Sequence, residues 1–105
     1  MKVLFIGGNG NISWWCVEEA IRRGDEVYEL NRKMTRATRR KVQTEVHEII
    51  ADIHNKEEIV KALSGMYFDV VCDFICFNDV QARQAIEVFK GKTDQYIVIS
   101  SEAVY

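Results

Sequence analysis

The stretch VLFIGGNGNIS, residues 3–13, decides how this chain folds. Four apolar residues in a row give way to three glycines within four positions, and apolar residues at helical spacing follow. A short, continuous apolar run reads as a strand buried on both faces, the kind found inside a parallel sheet. Glycine at its end permits a tight turn that strains any residue with a β-carbon. Over residues 11–23, Ile12, Trp15, Cys16 and Ala20 fall near one face, which predicts a helix stopped by Gly24.

The alternation continues along the chain. Residues 26–30 (EVYEL), 46–51 (VHEIIA), 69–73 (DVVCD) and 95–99 (QYIVI) read as further strands. Asn55 can cap a helix running through Leu63, with Glu57 and Glu58 in its first turn and Gly65 beyond its end. Asn78 or Asp79 opens another helix, extending to about Lys90. Strands and helices in this order predict an α/β fold, a parallel sheet covered by helices in three layers. Residues 32–44 have no convincing helical face, and no repeat or linker interrupts the pattern.

Composition narrows the classes. The 105 residues suit one domain, with 48% hydrophobic and 29% charged positions. A net charge of −2 argues against nucleic-acid binding driven by overall charge. No segment approaches the ~20 apolar residues of a membrane span, and the first apolar run is too short for a secretory signal. Cys16, Cys72 and Cys76 form no CxxC and no zinc-like spacing, so free, mostly buried thiols in a reducing cytoplasm are expected. His47 and His54 stand in no ligand spacing with an acid or cysteine, and no metal site is expected.

The glycines also have a chemical use. Gly7 serves the turn out of the strand, and Gly10 lets a pyrophosphate approach the backbone. The helix then offers unpaired N–H groups and its positive dipole end to the phosphates. A Walker loop needs Gly-Lys-Ser/Thr at its second glycine, whereas Asn11-Ile12-Ser13 follows Gly10. A glycine-rich turn without a ligand is the plainer alternative; the place between first strand and first helix favours a dinucleotide.

VLFIGGNGNI, ELNR, ADI, DFICF and ISSEAVY occur in an order and spacing that resembles the NAD-dependent epimerase/dehydratase group of extended and atypical short-chain dehydrogenase/reductases. The resemblance spans all 105 residues but only the N-terminal, cofactor-binding part of that family. It implies a Rossmann-like sheet of five strands in order 3-2-1-4-5, truncated relative to the family's longer architecture, with residues 1–105 as the NAD(P)-binding domain. Where the family's pattern is GxxGxxG, Ser13 replaces the last glycine; serine is small enough to keep helix and sheet close. Asn11 and Ile12, opening the helix, join Gly7 and Gly10 as implied cofactor contacts. Trp14 and Trp15 read as packing and rim residues.

A preference for NAD shows ordinarily as an acid at the end of the second strand, accepting from the ribose 2′-hydroxyl. Asn31 and Arg32 hold the implied adenosine-ribose positions. Without a carboxylate there, and with the planar cation of Arg32, the reading leans to NADP, with NAD still open. Six cations within residues 32–41, with no acid among them, read as a solvated loop, a helper site for a 2′-phosphate, or a contact for an anionic partner such as RNA. By the resemblance, Asp52 meets the adenine amino group and Ile53 adds a backbone contact, although Asp52 also suits a turn before the next helix. Phe74, Ile75 and Cys76 take the segment that runs along the cofactor.

The resemblance makes Ser101 the catalytic hydroxyl that hydrogen-bonds a substrate oxygen; a polar strand ending is the alternative. The family's Tyr-x-x-x-Lys acid/base pair is not formed by Tyr28, Tyr67 or Tyr96. As given, the chain is expected to hold a dinucleotide without completing hydride chemistry. A non-catalytic dinucleotide-binding regulator or RNA-associated protein is the second reading. With this strand order, only the first helix covers one face, so the sheet over strands 4 and 5 should be bare there and self-association is expected.

Overall fold

The computed structural model describes residues 1–7, 11–31, 46–52, 55–74 and 79–98, with the backbone alone at 11–13. Five strands, β1 (Lys2–Ile6), β2 (Glu26–Asn31), β3 (His47–Ile50), β4 (Phe68–Asp73) and β5 (Thr93–Val98), alternate with α1 (Asn11–Arg22), α2 (Lys56–Ala62) and α3 (Asp79–Phe89). All strand pairs are parallel, and the sheet order is β3-β2-β1-β4-β5, as expected. The fold is therefore a Rossmann-like α/β sheet.

Side chains of β1 alternate between two cores. Leu4 and Ile6 join Leu30, Ile59, Leu63, Phe68, Val71, Val88 and Phe89 beneath α2 and α3. Val3 and Phe5 join Val17, Ala20 and Val27 beneath α1. This alternation is the period-two geometry of a strand covered on both faces. Helix ends follow their sequence signals. The Asn55 side chain accepts from the Glu58 amide at 3.2 Å, and Gly24 takes φ +87° beyond α1.

β5 differs from the apolar reading, beginning at Thr93 instead of Gln95. Phe68 of β4 is paired with Thr93, so backbone pairing carries the strand through two polar residues. The edge position tolerates them, because one side of β5 faces no described strand. As expected, the α1 face is thinly covered over β4 and β5: Gln95 and Ile97 are exposed, while Val70 and Cys72 are half-buried. A hollow of about 570 Å³ lies between α1 and β4, lined by Phe5, Trp15, Cys16, Val70 and Cys72 among others. Cys16 and Cys72 are free thiols, as expected, but each is half-buried and not enclosed, because among the described residues α1 is the one helix on this face. Cys76 lies outside the described residues.

Two substitutions test the packing. Asn55→Ala should cost about 1 kcal/mol through the lost cap, and Leu63→Ala about 2–5 kcal/mol through the cavity left in the core. Urea unfolding of the two variants against the wild type measures both. Equal losses would contradict the burial described.

Candidate functional site

Several predicted positions gather along one edge of the sheet, because in a parallel sheet every strand ends on the same side. Gly7 follows β1, Asn31 ends β2, Asp52 lies two residues beyond β3, and Phe74 follows β4. Gly7 adopts φ +80°, the left-handed region that disfavours a β-carbon, while its amide donates to the Leu30 carbonyl at 3.0 Å. The turn is thus tied to β2 as the chain leaves β1.

Asn11 and Ile12 are the first residues of α1, whose first turn carries no acid. The opening amides of a helix have no intrahelical acceptor, and no local carboxylate neutralises the dipole here. This turn and helix start suit a pyrophosphate. The chemistry of the donor set therefore fits a dinucleotide. Gly10, Arg32, Ile53, Ile75, Cys76 and Ser101 lie outside the described residues, as do His54 and the whole cationic segment, residues 32–41.

The backbone of Asp52 forms the turn into α2. Its amide donates to Glu58 Oε1 at 3.1 Å and its carbonyl accepts from the Asn55 amide at 3.0 Å. Phe74 prolongs the β4 ladder by donating its amide to the Ile6 carbonyl at 3.0 Å. Its half-buried ring stacks near Phe5 at 6.2 Å between centroids, on the α1 side.

Sequence reasoning missed Glu29 and Glu48. Glu29 shares the α1-side face with Val27, has no exposed surface and pairs in register with Glu48 of β3. Like charges directly opposite on neighbouring strands destabilise a sheet. Asn31 bridges them: its Nδ2 donates to Glu29 Oε1 at 3.1 Å and to Glu48 Oε2 at 2.8 Å. Glu29 Oε2 has no hydrogen-bond partner among the described residues. Burial raises the Glu29 carboxyl above its ordinary value; the Asn31 hydrogen bond opposes this in part, and the Glu48 charge adds to it. Strict alternation in EVYELN was the available signal, since it places Glu29 on the face of Val27.

His47 is exposed on β3 and stacks on Tyr28 at 4.7 Å, and among the described residues no group of three or more His, Cys, Asp or Glu could hold a metal. Trp14 and Trp15 meet edge to face at 4.9 Å, with Trp15 59% exposed at the rim of the hollow. No described helix is long and apolar enough to cross a membrane.

No family model and no curated protein matches the sequence. Solved structures share its fold. UDP-glucose 4-epimerase from Thermotoga maritima superposes with a TM-score of 0.76 at 16% identity, over 93% of this chain and 37% of that one. A Rossmann-fold NAD(P)-binding family protein from Shigella flexneri gives 0.68 at 20% identity, over 92% of this chain and 49% of that one. The enzyme WbmH from Bordetella bronchiseptica, solved in complex with NAD+, gives 0.66 at 18% identity, over 87% and 35%. This chain thus spans half or less of the length of each. At these identities the likeness is one of fold: a Rossmann-like sheet shared with part of each of these longer chains.

The Glu29 carboxyl generates a pH prediction. Its folded-state pKa lies above the ordinary 4.5, so its protonated form supports the fold fully below that value, and this support is lost as pH rises through the raised value. Glu29→Gln, which cannot ionise, should therefore gain stability relative to wild type between pH 4 and pH 8. Urea midpoints at the two pH values check this. A difference independent of pH would contradict it.

Proposed function

We propose that residues 1–105 are the NAD(P)-binding part of an epimerase/dehydratase-like oxidoreductase whose full-length form acts on a nucleotide sugar or a related substrate. The observation that carries this reading is the left-handed Gly7 turn, which leads from the central strand to an acid-free helix start. It stands where the strand order reverses, between β1 and β4, the crevice in which open α/β sheets bind ligands. The shared fold of NAD(P)-binding and NAD+-complexed proteins supports the same assignment.

In this reading Gly7, Gly10 and the opening amides of α1, at Asn11 and Ile12, hold the pyrophosphate. Asn31 and Arg32 face the adenosine ribose, Asp52 and Ile53 the adenine, and Phe74, Ile75 and Cys76 the nicotinamide half. When bound, the coenzyme supplies a hydride carrier. Ser101 would hold the substrate oxygen by its hydroxyl. A Tyr-x-x-x-Lys pair elsewhere in the protein would support the oxidoreductase, and its absence would favour a non-catalytic dinucleotide-binding regulator. We also propose that the thinly covered face over β4 and β5 mediates self-association of this chain.

Titration with NADH and NADPH, read by quenching of Trp14 and Trp15, should give saturable binding of at least one coenzyme. Gly7→Val, which forces a β-branched residue into the left-handed region, should weaken that binding tenfold or more, with circular dichroism confirming the fold. No saturable change with either coenzyme would sink the assignment. In sedimentation, apparent mass should climb with concentration; a clean monomer at high concentration would remove the self-association proposal.

A further inference from the structure

We infer that Glu29 and Glu48 act as positioning residues that turn Asn31 into an acceptor for a free ribose hydroxyl, so that the site selects NAD(H) over NADP(H). The inference rests on the dinucleotide reading above and deepens it by naming the coenzyme.

The carboxamide of Asn31 has two N–H donors and one carbonyl oxygen. Its Nδ2 is engaged by two carboxylates, Glu29 Oε1 at 3.1 Å and Glu48 Oε2 at 2.8 Å. Flipping the amide would point its oxygen at the Glu48 carboxylate, acceptor against acceptor, so that contact fixes the orientation. Glu29 is wholly buried and Asn31 is 6% exposed, which leaves the bridge little room to rearrange. Among the described residues no hydrogen bond reaches Asn31 Oδ1. The polar atom left over at the end of β2 is therefore an acceptor.

A 2′-hydroxyl can donate to that oxygen. A 2′-phosphate brings acceptors and negative charge, and would meet the lone pairs of Oδ1 with two acids immediately behind it. An asparagine held in this way performs the task that an aspartate or glutamate performs at the end of this strand in other dinucleotide sites. Asparagine without its two acids could turn its N–H groups toward a phosphate. This reverses the preference expected from Asn31 and Arg32 as isolated letters. Arg32 and the cations after it lie outside the described residues, and any pull they exert on a 2′-phosphate registers in the NADPH arm of the test.

The test is binding of NADH and NADPH to the 105-residue chain, measured by calorimetry or nicotinamide fluorescence for wild type, Glu48→Gln and Glu29→Gln. Wild type should bind NADH at least fivefold more tightly than NADPH. In Glu48→Gln that ratio should fall toward one, chiefly through gained NADPH affinity, with circular dichroism confirming the fold. Glu29→Gln should move the ratio in the same direction; since Glu29 is buried, Glu48→Gln decides the matter if that variant fails to fold. Tighter or equal binding of NADPH by wild type would overturn the inference and leave the dinucleotide reading standing. An unchanged ratio in Glu48→Gln would also overturn it. Binding of neither coenzyme would overturn the dinucleotide reading, and this inference with it.

Discussion

The structure depends on β1 being paired along both edges while both its faces are covered. Val3 to Ile6 are at most 5% exposed, and successive side chains feed two separate cores. A slip of one residue would send Leu4 and Ile6 to the α1 side and Val3 and Phe5 to the other, so register and packing enforce each other. The lower end of the strand is fixed as well. The Lys2 amide donates to Asp69 Oδ2 at 2.7 Å, and the N-terminal ammonium meets Asp25 Oδ1 at 3.3 Å. Because Gly7 follows directly, the position of the turn is inherited from the strand before it.

The two faces of the sheet are unequal. Beneath α2 and α3, Phe68 and Phe89 are enclosed, Phe89 stacks on Tyr96 at 5.7 Å, and an ion pair between Lys56 and Glu87 joins the two helices. That exposed ion pair adds little by itself; the apolar enclosure supplies the stability. Lys2 lies 5.0 Å and 5.4 Å from the ring centres of Tyr28 and Phe68, so a cation closes this core at the end of the sheet away from the glycine turn. On the α1 side one helix covers the inner strands, and half-buried thiols mark where coverage stops.

Much of this was legible in the sequence because its strands are apolar runs and its helix ends carry specific chemistry. The run of residues 3–6, the Asn55 cap and the glycine after α1 each correspond to a local physical requirement. Thr93 and Asp94 were not legible as strand, since nothing in their own side chains asks for it; pairing with β4 does. At the candidate site, Gly7 and Asn31 stood out as the punctuation of strands. Glu29 and Glu48 did not. Their role arises from lateral pairing of residues far apart in the chain, and attention to the last residue of β2 passed over the acid two positions earlier. The thiols of Cys16 and Cys72 are free, as their spacing implied, but only half-buried, because cover depends on which helix crosses which face.

The pairing of β1 has a further consequence, for synthesis. Val3 is matched with Val27 on one side and with Val70 on the other, and no two of the described strands are joined by a simple hairpin. β1 leaves the ribosome before both of its partners and therefore cannot complete its hydrogen bonding until β4 has emerged. Meanwhile its apolar residues and one open edge stay uncovered. Parallel pairing at such separation is slow because a long loop must close before any contact rewards it. The nascent chain, more than the finished protein, is where this sequence is most exposed to misassociation.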